Sequence, residues 1–231
     1  MLCILPLLPR RRKFASMIAC VSVYVLIVIS VAASEELAPL PIKLPAPAFG
    51  SYIVKLDPSI DSPTGKARPA PLAPKDVTNI GLHKGVVSSA PALTGSLDQI
   101  VDGVRDLRSD CTVEFRSNLQ WIQIDLGAKK QLYYILFWRQ TDEMVAYHDV
   151  IVRASNDPRF VKGVTTLFNN DQNNSAGFGK GEDREYYETY EGKLVDAKSV
   201  NARYIRIYSA GNSHDQFNRC TEIEVWGRPA K

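Results

Sequence analysis

The feature that most constrains this chain is a series of short runs, all beyond Asp76, in which apolar and polar residues alternate. "WIQIDLG" (121–127) sets Ile122, Ile124 and Leu126 on one face. "HDVIVRAS" (148–155) groups Val150, Val152 and Ala154, "ARYIRIYS" (202–209) sets Ile205 and Ile207 against Tyr204, Arg206 and Tyr208, and "TEIEVWG" (221–227) pairs Ile223 with Val225. Successive side chains of a strand point to opposite faces, so a period of two is the mark of a half-buried strand. "QLYYILFW" (131–138) is almost wholly apolar and suits an inner strand. Gly, Asn, Asp and Pro bound these runs, and no helical period is sustained beyond the N-terminal leader. The expected class is all-β: a jelly-roll β-sandwich of about eight antiparallel strands. Gln123 and Asp125 then lie opposite the isoleucines, and Asp125-Leu126-Gly127 reads as a turn into the next strand.

The 231 residues divide into three textures. Residues 1–33 carry "RRRK" followed by the uncharged run "FASMIACVSVYVLIVISVAA". That is an export signal with a cut before Ser34, or an uncleaved anchor long enough to cross a bilayer. Either delivers the remainder to the periplasm, the cell surface or the medium, and it is the only segment expected to touch a membrane. Residues 34–75 are Pro-rich and read as an extended tether, with "GSYIVKLD" (50–57) as a short strand within it. Residues 76–228 form the domain. Removing the leader leaves 24 basic residues (28 − 4) against 25 acidic ones, which carries no electrostatic footprint for nucleic acid.

Chemistry is sparse. His83, His148 and His214 fall in no metalloprotease spacing, no nucleophile elbow is present, and no catalytic constellation emerges. The long polar stretch "FNNDQNNSAGFGKGEDRE" (168–185) begins like a calcium loop, but has Asn174 and Lys180 where such a loop needs Gly and Glu, so it reads as a solvated loop. The stronger binding candidates lie in "WRQTDEMVAYHD" (138–149) and "SAGNSHDQFNR" (209–219). Trp138, Arg139, Tyr147 and His148, with Asn212, His214 and Asn218, combine aromatic faces with planar hydrogen-bonding groups, as sugar recognition requires.

The order of the motifs carries a resemblance. "ALTGSLDQIVDG" (92–103), "LQWIQIDLG", "YHDVIVRASND", "ARYIRIYS" and "TEIEVWG" together resemble the discoidin domain, also called the coagulation factor 5/8 C-type domain, of the bacterial secreted type. That group belongs to the galactose-binding-like jelly rolls. The resemblance implies a non-catalytic module that recognises a glycan or cell-envelope component through loops at one end of the sandwich. Alternatives are an adaptor that binds a protein partner, and an enzyme on a jelly-roll scaffold. It also implies a structural calcium ion held by the side chains of Asp102 and Glu222, with backbone carbonyls from Gln99, Thr221, Val104 and Leu107. In the same frame the segments bearing Cys111 and Cys220 meet at one end of the sandwich, so an exported chain is expected to join them in a disulfide.

Overall fold

The computed structural model describes residues 35–46, 56–63, 66–106, 111–140 and 145–230. The leader, most of "GSYIVKLD" and Leu107 lie outside the described residues. Among the described residues no helix is long and apolar enough to cross a membrane.

The expected all-β class holds. Among the described residues eleven strands occur in the order β1 (Leu37–Pro39), β2 (Leu72–Pro74), β3 (Thr78–Asn79), β4 (Gly85–Ser88), β5 (Val113–Phe115), β6 (Gln120–Trp138), β7 (Ile151–Ser155), β8 (Thr165–Asn169), β9 (Lys193–Ser209), β10 (Asn218–Cys220) and β11 (Glu222–Pro229). A short 3-10 turn, Leu97–Val101, stands among them. Seven strands form one antiparallel sheet ordered β3-β11-β6-β9-β7-β8, with β4 also paired to β6. β5 and β10 make a separate two-stranded ladder, as do β1 and β2.

Asp125-Leu126-Gly127 does not end a strand, because β6 continues through it. Asp125 pairs with Tyr204 and Lys130 with Ala202, so residues 126–129 stand opposite Arg203 alone, as a bulge. Gly127 adopts φ +81, which favours glycine, and its N–H donates to Asp125 Oδ1 at 2.8 Å. Arg203 Nε and Nη2 grip the same carboxylate at 2.7 and 2.8 Å. That grip holds the Asp125 carboxyl below the usual carboxylate range. Bulges bend and twist a strand. β6 and β9 can thereby run past the core over their whole length.

The inner face carries the residues the alternation selects. Ile122, Ile124, Leu126, Val150, Val152, Ala154, Ile205, Ile207, Ile223 and Val225 are buried in one cluster, closed from the other side by Ile100, Val101, Val113 and Phe115. Each fully buried aliphatic or aromatic side chain contributes about 1.5–3 kcal/mol of hydrophobic stabilisation.

On the outer face, described residues of the Pro-rich segment pack against the domain. Past the bulge, Tyr133, Tyr134, Trp138, Leu194 and Trp226 meet Leu40, Ile42, Ala73 and Val77 from the N-terminal segment in two further apolar clusters. Arg228 binds Glu35 at 2.7 Å and Asp76 at 3.0 Å. Arg68 donates to the Gly192 and Glu191 carbonyls at 2.9 Å each. Proline content predicts an extended backbone. It could not reveal that the extended chain lies against aromatic side chains. Residues from Glu35 onward form one compact unit.

Candidate functional site

The two loops expected to form a sugar-binding rim do meet. Tyr147 bridges to Asn212, the His148 N–H donates to the Gly211 carbonyl at 3.0 Å, and the Ser213 N–H donates to the Ala146 carbonyl at 2.8 Å. Most of the side chains chosen for the rim, however, face inward. Trp138 is fully buried and its indole N–H donates to the Tyr190 carbonyl at 3.0 Å. Tyr147 is 1% exposed. Arg139 is 3% exposed, lies 4.2 Å over the Tyr147 ring, and donates to Ser209 Oγ and the Arg219 carbonyl. Asn212 is buried within its own loop, donating to Asp215 and the Phe217 carbonyl. Asn218 is likewise buried, donating to the Arg116 and Asn118 carbonyls. These five are buried, so they do not form the open aromatic rim that was expected. Only His148 and His214 remain at the surface. The physical reason is that planar polar side chains also serve to satisfy backbone groups in irregular loops.

Arg139 instead belongs to a buried polar cluster. Its Nε lies 3.4 Å from Glu188 Oε1, yet neither group completes a hydrogen bond there. Burial pushes the Glu188 carboxyl up to about 7, against the pull of the Arg139 charge.

A different place is open. Beyond the start of β7 and the end of β8 lies a polar hollow of about 170 Å³, lined by Ser59, Asp149, Asn170, Gln172, Asn173 and Glu185. His148 stands at its edge, with Nδ1 2.8 Å from Glu185 Oε1. The lining is held by the chain around it. Asp149 sits at φ +50, a left-handed conformation that Asp tolerates better than most residues, and its Oδ2 accepts from Ser175 Oγ at 2.6 Å. Asn170 Oδ1 accepts from the Val150 N–H, Gln172 Nε2 donates to the Asp183 carbonyl, and Asn173 Oδ1 accepts from the Ser175 N–H. Asp171, fully buried, receives the Ser175 and Ala176 N–H groups. Most of residues 172–184 are exposed, as expected of a solvated loop, and these bonds also hold the stretch in shape. These bonds use one oxygen of Asp149, one oxygen of Glu185 and the amide nitrogen of Gln172. The other carboxylate oxygens, Gln172 Oε1 and Asn173 Nδ2 are left to meet hydroxyl groups.

Sequence reasoning missed these six residues. The available signal is the density of amides in "FNNDQNN". Nothing in the sequence pointed to Ser59.

At the opposite part of the chain's site expectations, Asp102 and Glu222 do come together across the turn that follows Val101. Both Glu222 oxygens lie 3.2 Å from the Gly103 N–H, and the Val104 N–H donates to Asp102 Oδ1. Glu222 is fully buried. Burial, and then the neighbouring Asp102 charge, pushes its carboxyl up to about 8. The nearby Arg105 is turned to Glu224 instead. Among the described residues no group of three or more His, Cys, Asp or Glu side chains is placed to hold a metal ion, so an ion here would rest on these two carboxylates and backbone carbonyls. Two of the expected contributors are otherwise engaged at their side chains: Gln99 Oε1 accepts from the Ser96 N–H, and Thr221 Oγ1 meets Thr112 Oγ1 at 3.1 Å. Their carbonyls are the groups the expectation used.

The expected disulfide is not made, and Cys111 and Cys220 are not joined. The ladder pairs Cys220 with Val113, which places Cys111 diagonally rather than directly across. Burial raises the Cys220 thiol to about 12, so it stays protonated.

No family model matches the chain, and no curated protein matches it. Solved structures do. A family 32 carbohydrate-binding module from C. perfringens NanJ, in complex with galactose, is 15% identical with a TM-score of 0.48, covering 65% of this chain and 98% of that one. A fucose-binding module of Streptococcus pneumoniae is 15% identical with a TM-score of 0.46, over 64% and 96%. The CBM32 of AlyQ, in complex with 4,5-unsaturated mannuronic acid, is 22% identical with a TM-score of 0.45, over 61% and 92%. The chain is similar to these modules at low identity.

Proposed function

We propose that this chain is an exported, non-catalytic module that binds carbohydrate in the polar hollow beside His148. The single observation that carries the reading is the hollow itself: open to water, of small volume, and lined by hydroxyl, amide and carboxylate groups already fixed by bonds to the surrounding chain. Pre-positioned planar groups suit a ring bearing several hydroxyls, because little side-chain freedom is lost on binding. The sequence resemblance to discoidin-like modules supports the same class. A glycan array probed with the chain from Glu35 onward tests it. Binding to a defined glycan that falls at least about tenfold in Gln172→Ala/Asn173→Ala, with melting unchanged, is the expected result. Absence of binding across the array overturns it.

We also propose that Asp102 and Glu222 hold a structural calcium ion, aided by backbone carbonyls. The ion would neutralise two converging carboxylates and fasten the Asp102–Val104 turn to β11. It has no part in the hollow.

A further inference from the structure

The hollow is not built by the β-domain alone. Ser59, one of its six lining residues, comes from the N-terminal Pro-rich segment, more than eighty positions before Asp149. We propose that residues 57–61 are one wall of the ligand site, and that this wall selects a neutral, hydroxyl-rich sugar over an acidic one. The proposal rests on the carbohydrate reading above.

The wall is fastened at both of its ends and along its length. The Asp57 N–H donates to Tyr187 Oη at 3.0 Å. Arg184 Nη2 donates to the Pro58 and Ser59 carbonyls at 3.0 and 2.9 Å, and its Nη1 lies 3.2 Å from Asp61 Oδ1. The Asp61 N–H donates to the Glu185 carbonyl at 2.8 Å, and the Tyr187 N–H donates back to the Asp61 carbonyl at 3.1 Å. A short parallel bridge, Asp61 with Tyr186, completes the seam. The segment thus does two things at the site. It places Ser59 against the hollow, and it clamps the backbone of Glu185, whose carboxylate lines the hollow and meets His148.

The chemistry of the wall indicates the ligand class. Ser59 Oγ–H donates to Asp57 Oδ1 at 2.6 Å, so toward a ligand this hydroxyl acts as an acceptor. Asp149 and Glu185 add carboxylate oxygens, and Gln172, whose amide nitrogen is engaged with Asp183, adds a carbonyl oxygen. Arg184 is the cation of this wall, and it is turned toward the Pro58 and Ser59 carbonyls and Asp61 rather than toward the hollow. A lining dominated by acceptors and two negative charges takes sugar hydroxyl donors and repels a sugar carboxylate.

The test compares the whole chain with Ser59→Ala, Ser59→Tyr and Arg184→Ala. The probes are galactose-terminated and fucose-terminated oligosaccharides and a galacturonate oligomer, titrated calorimetrically. The wild-type chain is expected to bind a neutral probe at least about tenfold more tightly than the galacturonate oligomer. Ser59→Ala should weaken the neutral probe by about three- to tenfold, the effect of one lost hydrogen bond. Ser59→Tyr, which fills the hollow from an exposed position, should abolish binding. Arg184→Ala, which loosens the seam, should fall between them. Melting curves confirm that each variant is folded. Two results overturn the proposal while leaving the carbohydrate reading intact: neutral-probe affinity unchanged in Ser59→Tyr while Gln172→Ala/Asn173→Ala loses it, or galacturonate binding as tight as the neutral probe. If the wild-type chain binds none of these probes, and no other glycan on the array, the proposal falls together with the carbohydrate reading.

Discussion

Arg139→Met is the substitution that best separates a surface arginine from a core one. A rim arginine could be replaced within about half a kcal/mol. Here the guanidinium is 3% exposed and stacks on Tyr147, donates to Ser209 Oγ and the Arg219 carbonyl, and stands 3.4 Å from a fully buried carboxylate. Removing one partner of a buried pair costs about 3–5 kcal/mol, because the other charge is stranded. Part of that cost depends on pH. In the native chain Glu188 titrates at about 7, against an ordinary value of 4.5. A carboxyl raised in the fold contributes stability that is fully present below 4.5 and lost as pH rises through 7. That loss amounts to about 3 kcal/mol for a shift of this size. Without Arg139 the carboxyl keeps only the weaker pull of the Lys193 charge, so its folded value rises further and the loss continues to higher pH. The variant should therefore fall behind the native chain by about 1 kcal/mol more at pH 8 than at pH 5, since one pH unit is worth about 1.4 kcal/mol. Tyr147, Tyr186 and Cys220 are raised by burial and stay neutral across this range, so they do not blur the reading. Urea unfolding at the two pH values measures it, with the slope m checked for constancy. A cost below about 1 kcal/mol at unchanged m, or a cost independent of pH, would refute the buried-pair account.

Three further outcomes are expected. Glu188→Gln should flatten the stability profile between pH 4.5 and 7, followed by thermal melts across that range. Leu40→Ala should cost about 2 kcal/mol in urea unfolding, because Leu40 is 5% exposed against Trp226; a free tether would cost nothing. Chelation should lower the melting midpoint of the native chain and leave Asp102→Ala unmoved, since an ion that binds only the folded state must stabilise it. Identical midpoints with chelator and with excess calcium would remove the ion from the account.

How much of this protein could be read from the sequence depends on how local each determinant is. The strand class and the inner face were legible because a strand alternates its side chains residue by residue. Ile122, Ile124, Ile205, Ile207, Ile223 and Val225 therefore announce one buried face wherever the partners lie. The approach of Asp102 to Glu222 was also legible, through the order of motifs. The bulge at Gly127 was not, because Asp-x-Gly serves a turn and a bulge equally, and only the register against β9 distinguishes them. Trp138, Arg139 and Tyr147 have the chemistry of a ligand rim and the chemistry of a satisfied core. Burial decides between those roles, and burial depends on what distant segments cover. The Pro-rich stretch illustrates this most fully. Its composition dictates an extended backbone but not where that backbone lies, and it was the aromatic outer face beyond the bulge, together with Arg68, Arg184 and Arg228, that drew it onto the domain. The hollow exists only because Ser59, Asp149 and Asn170–Glu185 converge from three separated stretches, and convergence of that kind is a property of tertiary structure alone.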